Sequence, residues 1–155
     1  YYLPSYLAAG LAIIYFINGM MGPVFDPLAI LHKTTSGSLW TGTVLFLFLS
    51  MQGYLSVLRW KKQYLKAVRN LDFHRWFGFV VVMLLIGHTS ELGYGHSFLL
   101  SSALLLVIVS AAGLDGGPLS PNSVLLRNVL LVTYICLSVA LIGLIATHVA
   151  AVFYY

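Results

Sequence analysis

Long apolar runs alternate with short polar breaks along the chain, and each run is close to the roughly 20 residues that carry a helix across a hydrocarbon layer. Five runs can be read. The first covers 4–22 ("PSYLAAGLAIIYFINGMMG") and ends at Gly22–Pro23, and the second covers 39–58 ("LWTGTVLFLFLSMQGYLSVL"). The third covers 76–93, the fourth 97–113 and the fifth 124–153. Between the last two, "LDGGPLSPNS" at 114–123 has the glycine, proline and asparagine content of a loop. No internal repeat or low-complexity tract interrupts the pattern. The expected fold class is therefore all-α, a transmembrane bundle of about five spanning helices, with 1–155 forming one transmembrane domain. Helix two has an early start signal in "FDPLAILHK", with Asp26 at an N-cap position and Pro27 at the first helical position. "TTSGS" at 34–38 then interrupts or kinks it.

Composition turns this pattern into a statement about solvent. The 155 residues are 60% hydrophobic and 8% charged, where a soluble domain carries about 25% charged residues. So few charges cannot cover a water-facing surface, and an integral membrane protein is expected. Cys136 is the one cysteine, which excludes an internal disulfide. The chain begins at Tyr1, as a processed chain or a fragment would.

The formal charge of +4 is concentrated. Arg59, Lys61, Lys62, Lys66, Arg69 and Arg75 lie between the second and third runs, and Arg127 opens the fifth on the same side. Lys33 lies on the other. Basic residues favour the non-translocated face, so the 59–75 loop is expected there, in a bacterial inner membrane or an organellar one such as the thylakoid or mitochondrial inner membrane. The cluster reads first as topology and second as a docking surface for an acidic partner. "WKKQYLKAVRNLDFHRW" also suits a short interfacial helix anchored by Trp60 and Trp76.

The histidines are the candidate chemistry. Ionisable groups inside a spanning helix are costly and usually functional, whereas an interfacial histidine says little. On the predicted boundaries His74 lies at the basic edge beside Arg75. His88 lies about five residues, roughly 7 Å, inside the opposite end of helix three. His148 lies about as deep in helix five, below the aromatic end Phe153, Tyr154 and Tyr155. His32 and His96 sit at or above that same surface. Two imidazoles at one depth on facing helices suit a bis-histidine haem, with Gly78, Gly87, Gly143 and Ala146 giving room for close packing. The alternatives are histidines that hydrogen-bond between helices, or a metal or quinone site. His74 and His88 are 14 residues apart, about 21 Å of rise and a net rotation of about −40°, so they share a helix face.

"FHRWFGFVVVMLLIGH" resembles the His-Arg-x-x-Gly…His helix of membrane b-type cytochromes. These include ascorbate-reducible transmembrane cytochromes and the haem-bearing gamma subunits of formate dehydrogenases and hydrogenases. "LHKTTSGSLWTG" and "ATHVA" extend the resemblance. "GYGHSFLL" is also similar to an uncharacterised family of small cyanobacterial and plastid membrane proteins, in which a histidine opens the next helix. The resemblance implies haem b, with matched histidines as axial ligands. No second histidine lies beside His74, so one haem on the opposite side is expected. His88 and His148 are the preferred ligands, His32 and His96 the competitors, and His74 is an interfacial or propionate contact.

The functional expectation is a small cytochrome b-like electron-transfer subunit in a lipid bilayer, within a larger respiratory or photosynthetic complex rather than a stand-alone enzyme. The alternative is a non-catalytic accessory subunit whose histidines are structural or bind a pigment such as chlorophyll. Glu91 solvates a helix end or carries protons to a quinone. Gln52 and Asn18 are expected to bridge helices, and Met20 and Met21 to pack. No nucleotide loop, nucleophile triad, zinc pattern or nucleic-acid motif is present.

Overall fold

A computed structural model describes residues 2–21, 35–88, 95–118 and 120–154. Among these the chain is helical and contains no strand. Helix α1 is Leu3–Met20 and α2 is Thr35–Gln52; the short helices α3 (Tyr54–Trp60) and α4 (Tyr64–Arg69) follow. Then come α5 (Leu71–His88), α6 (His96–Leu114) and α7 (Val124–Tyr154). Five stretches are long and apolar enough to cross a membrane: α1, the continuous Leu39–Trp60 run of α2 and α3, α5, α6 and α7. The all-α bundle expected from the apolar runs is thus present, and its composition is compatible with an integral membrane protein. Successive spans alternate in direction. One rim gathers the starts of α1, α5 and α7 with the ends of α3 and α6, and it carries the basic cluster. The other rim holds the ends of α5 and α7 and the start of α6, and it carries His88, His96 and His148.

The third span differs from its predicted limits. It starts at Leu71 rather than 76, and its described helix ends at His88. The charges at 72 and 75 are accommodated in the helix because they find partners there: Arg75 bonds Asp72 one turn back at 2.8 Å and reaches Asp115 at the C-cap of α6. The predicted extension of this span to 93, and with it the depth of His88, lies outside the described residues. The Asp26 cap, the 34–38 break as far as Thr34, and Glu91 fall outside the described residues.

Neighbour order follows from packing. Helix α5 lies against α1 and α2, α1 also meets α6, and α7 docks principally on α6. The main core joins all five spans through Tyr15, Leu45, Val81, Leu85, Ala103, Leu104 and Leu141. A second cluster, Ala8, Ala12 and Val82, brings α1 close to α5, and Val82 is 0% exposed. Small residues at such a contact let backbones approach, which is how helices associate when lipid tails are as apolar as the side chains. Helix α7 is the contrast. Among its described residues only Leu141 is buried by protein.

Four hydroxyls inside the spans are satisfied within their own helices. Thr43, Ser50, Ser102 and Ser138 each donate to the carbonyl four residues back at 2.7–2.8 Å, which removes the cost of an unmade bond in an apolar medium.

The predicted interfacial helix is a helical hairpin. Its turn is a Schellman motif at the end of α3: Gln63 N–H donates to the Leu58 carbonyl at 2.9 Å and Lys62 N–H to that of Arg59 at 3.0 Å. The motif requires a left-handed residue at Lys62, whose φ is 57°. A small core of Leu55, Leu58 and Ala67, with Leu71 against it, joins α3 to α4.

Candidate functional site

The histidine rim collects three imidazoles from three helices. His88 closes α5 and faces α2. Its Nδ1 lies 3.1 Å from Thr41 Oγ1. Thr41 directs its one hydroxyl hydrogen to the Gly37 carbonyl at 2.9 Å, so its oxygen accepts from His88 and Nδ1 carries the ring proton. A hydrogen bond at one ring nitrogen is the arrangement common among histidines that bind a metal through the other. Gly42 is what lets the ring lie so close to α2. A methyl group added to Gly42 would stand 2.9 Å from His88 Cε1.

His96 opens α6 and reaches α7. Its Nε2 is 3.0 Å from the Leu144 carbonyl and 3.3 Å from Thr147 Oγ1. A carbonyl can only accept, so Nε2 carries a proton and donates it there. The ring lies beside that of His148, with centroids 6.1 Å apart and planes 19° from parallel. His148 thus meets His96, while His88 meets Thr41 and Gly42. Helices three and five, expected to face each other, share the core cluster through Val81, Leu85 and Leu141, while the principal neighbours of α5 are α1 and α2 and that of α7 is α6. Gly143 makes no close approach: a methyl added there would meet nothing within 4 Å. His32 lies outside the described residues.

His74 stands at the other rim, partly buried. Its carbonyl accepts from Gln52 Nε2 at 3.2 Å, so Gln52 does bridge helices. Arg59 and Asp115 are near enough to act on its ring electrostatically. Beside it is a charged network that the spacing of the sequence did not suggest. Arg75 presents Nε to both Asp115 oxygens at 2.9 and 3.0 Å and Nη2 to Oδ1 at 2.9 Å. Ser5 Oγ donates to Asp115 Oδ2. Arg75 and Asp115 are 14% and 13% exposed, so a fork-on-carboxylate pair closes α1, α5 and α6 together where water is scarce. The available signal was the scarcity of acids: of four in the chain, Asp72 and Asp115 border the basic rim.

For a haem, the donor chemistry of the histidine rim fits: imidazoles from different helices, two of them oriented by a hydrogen bond. Among the described residues no group of three or more histidine, cysteine or acidic side chains could hold a bare metal ion. No known family model, curated protein or solved structure matches the chain.

Proposed function

We propose that this chain is a small integral membrane electron carrier that binds haem b at its histidine rim and serves within a larger membrane complex. The observation that carries the reading is the gathering of His88, His96 and His148, from three separate helices, at one end of the bundle. His88 and His148 are the axial donors in this proposal, which requires α5 and α7 to close on the haem, since without it His88 rests on α2 and His148 beside His96. His96 is a positioning residue, because its Nε2 is committed to the Leu144 carbonyl and its remaining nitrogen is crowded by its own Cβ. When bound, the haem supplies the one-electron chemistry. The protein orients the ring of His88 through Thr41 and keeps the rim in a low-dielectric setting that would tune the potential. The basic rim faces the non-translocated side of the membrane in the same proposal. A quinone is the natural two-electron partner at such a rim, and a chlorophyll the alternative occupant of a singly ligating histidine.

The deciding measurement is the absorption spectrum of the purified protein, oxidised and then reduced. A low-spin haem spectrum is expected. His88→Ala and His148→Ala should each lose haem or leave it high-spin, while His96→Ala and His74→Ala keep it low-spin. Absence of haem from the unaltered protein overturns the reading. The accessory-subunit reading then stands in its place, favoured by the large face of α7 that no other described part of the chain covers.

A further inference from the structure

The α3–α4 hairpin does more than carry positive charge. Between its two helices is an open cavity of about 370 Å³, lined by Arg59, Tyr64, Ala67, Val68 and Leu71. The volume lies within the roughly 300–1,000 Å³ of small-molecule sites. Its wall is part of the hairpin's own core, since Ala67 is buried and Leu71 packs on Leu55 and Leu58, so the cavity is held by packing. One side is cationic and phenolic; the other is apolar. Its height is also set: Arg59 is the penultimate residue of one apolar span and Leu71 the first of the next. In a bilayer that level is the headgroup region.

Charge complementarity selects the occupant. From 59 to 71 the chain holds Arg59, Lys61, Lys62, Lys66 and Arg69 and no acid, and among the described residues none of the five forms an ion pair. Trp60 and Leu65, each 82% exposed, extend the apolar surface next to these cations. A topology signal needs charge alone; it needs neither a cavity nor an apolar wall. We propose that this cavity binds an anionic phospholipid, with the Arg59 guanidinium and Tyr64 hydroxyl on the phosphate and an acyl chain along Ala67, Val68 and Leu71. Basic pockets between spans are suited to such headgroups. The inference rests on the bilayer reading of the chain and is independent of haem.

The test uses the full chain in neutral detergent, with melting temperature followed during titration with phosphatidylglycerol, phosphatidylcholine or inorganic phosphate. Phosphatidylglycerol should raise the melting temperature saturably, and the other two should not. Arg59→Gln should weaken the apparent affinity about fivefold, and Arg59→Lys should restore most of it. Arg127→Gln, an exposed charge at the start of α7 on the same rim, should change it little. Equal response to phosphatidylcholine, saturation by phosphate alone, or equal losses in the Arg59→Gln and Arg127→Gln proteins would each overturn the site. Alkaline carbonate extraction of the membranes separates the two levels: release of the chain defeats the bilayer reading, whereas retention without a phosphatidylglycerol preference defeats only the lipid site.

Discussion

The two rims of this bundle solve the same problem by different means. Each must fasten helix ends where the apolar interior gives way to polar surroundings. The basic rim does it with full charges: one guanidinium grips the Asp115 carboxylate of a neighbouring helix and the Asp72 carboxylate of its own, and Ser5 adds a third helix. The histidine rim uses neutral groups, one hydroxyl and one backbone carbonyl, each taking a hydrogen from an imidazole. A paired charge in a poorly hydrated place is hard to break and has little freedom to do anything else. The contrast separates a rim closed by paired charge from one closed by single hydrogen bonds of imidazoles, and it is the second that carries the proposed haem site.

The largest effect should come from the charged rim. Asp115→Ala leaves the Arg75 guanidinium partly buried with only the exposed Asp72 as partner, at a cost of about 3 kcal/mol. The paired replacement Arg75→Leu with Asp115→Leu should recover most of that loss, because neither charge is then stranded. Melting temperatures of the two variants and the parent, in one detergent, check this. If the paired variant melts as low as the single one, the network's worth lies in shape rather than in charge compensation.

Next in size is Gly42→Val. Side-chain carbon would intrude on His88 Cε1, and overpacking of a fitted contact costs about 1–3 kcal/mol. It should also displace the imidazole from Thr41, so the comparison sharpens if haem content falls along with stability. Unchanged stability and haem content would show that the ring has room to move and that the bond to Thr41 does not constrain it.

The smallest effect belongs to His96→Ala. It removes one bond between α6 and α7, worth about 0.6–2 kcal/mol in membrane helices. A loss as large as that of Asp115→Ala would erase the distinction between the rims, and urea or thermal denaturation of the two side by side would reveal it.

The span pattern was legible because hydrophobic runs and their breaks depend on local sequence alone. All five spans are present, with the greatest displacement at α5, where a distant carboxylate pairs with the charge of Arg75. The basic hairpin and the Gln52 bridge were legible for the same reason: a charge or an amide in an apolar setting must find a partner. What was hidden is rotation and neighbour order. In water, an apolar stripe tells which face of a helix is buried. Here lipid is as apolar as leucine, every face of α6 and α7 is alike, and no stripe is needed. Residue spacing could place His88, His96 and His148 at one end of the bundle. It could not tell that His148 would meet His96, or that His88 would rest on Gly42.

Helix lengths carry one more consequence. Helix α1 has 18 residues and α7 has 31, about 27 Å against about 46 Å along their axes. A hydrocarbon layer near 30 Å matches the first and falls well short of the second. In a bilayer α7 tilts, thickens the lipid beside it, or carries its ends, with Arg127 and Asn128 near one and Phe153 and Tyr154 at the other, beyond the hydrocarbon. In the first two cases the unequal mismatch on two flanks gives the protein a built-in preference for where it sits. It is least strained at a seam between thinner and thicker bilayer, or with its long helix covered by another protein instead of by acyl chains.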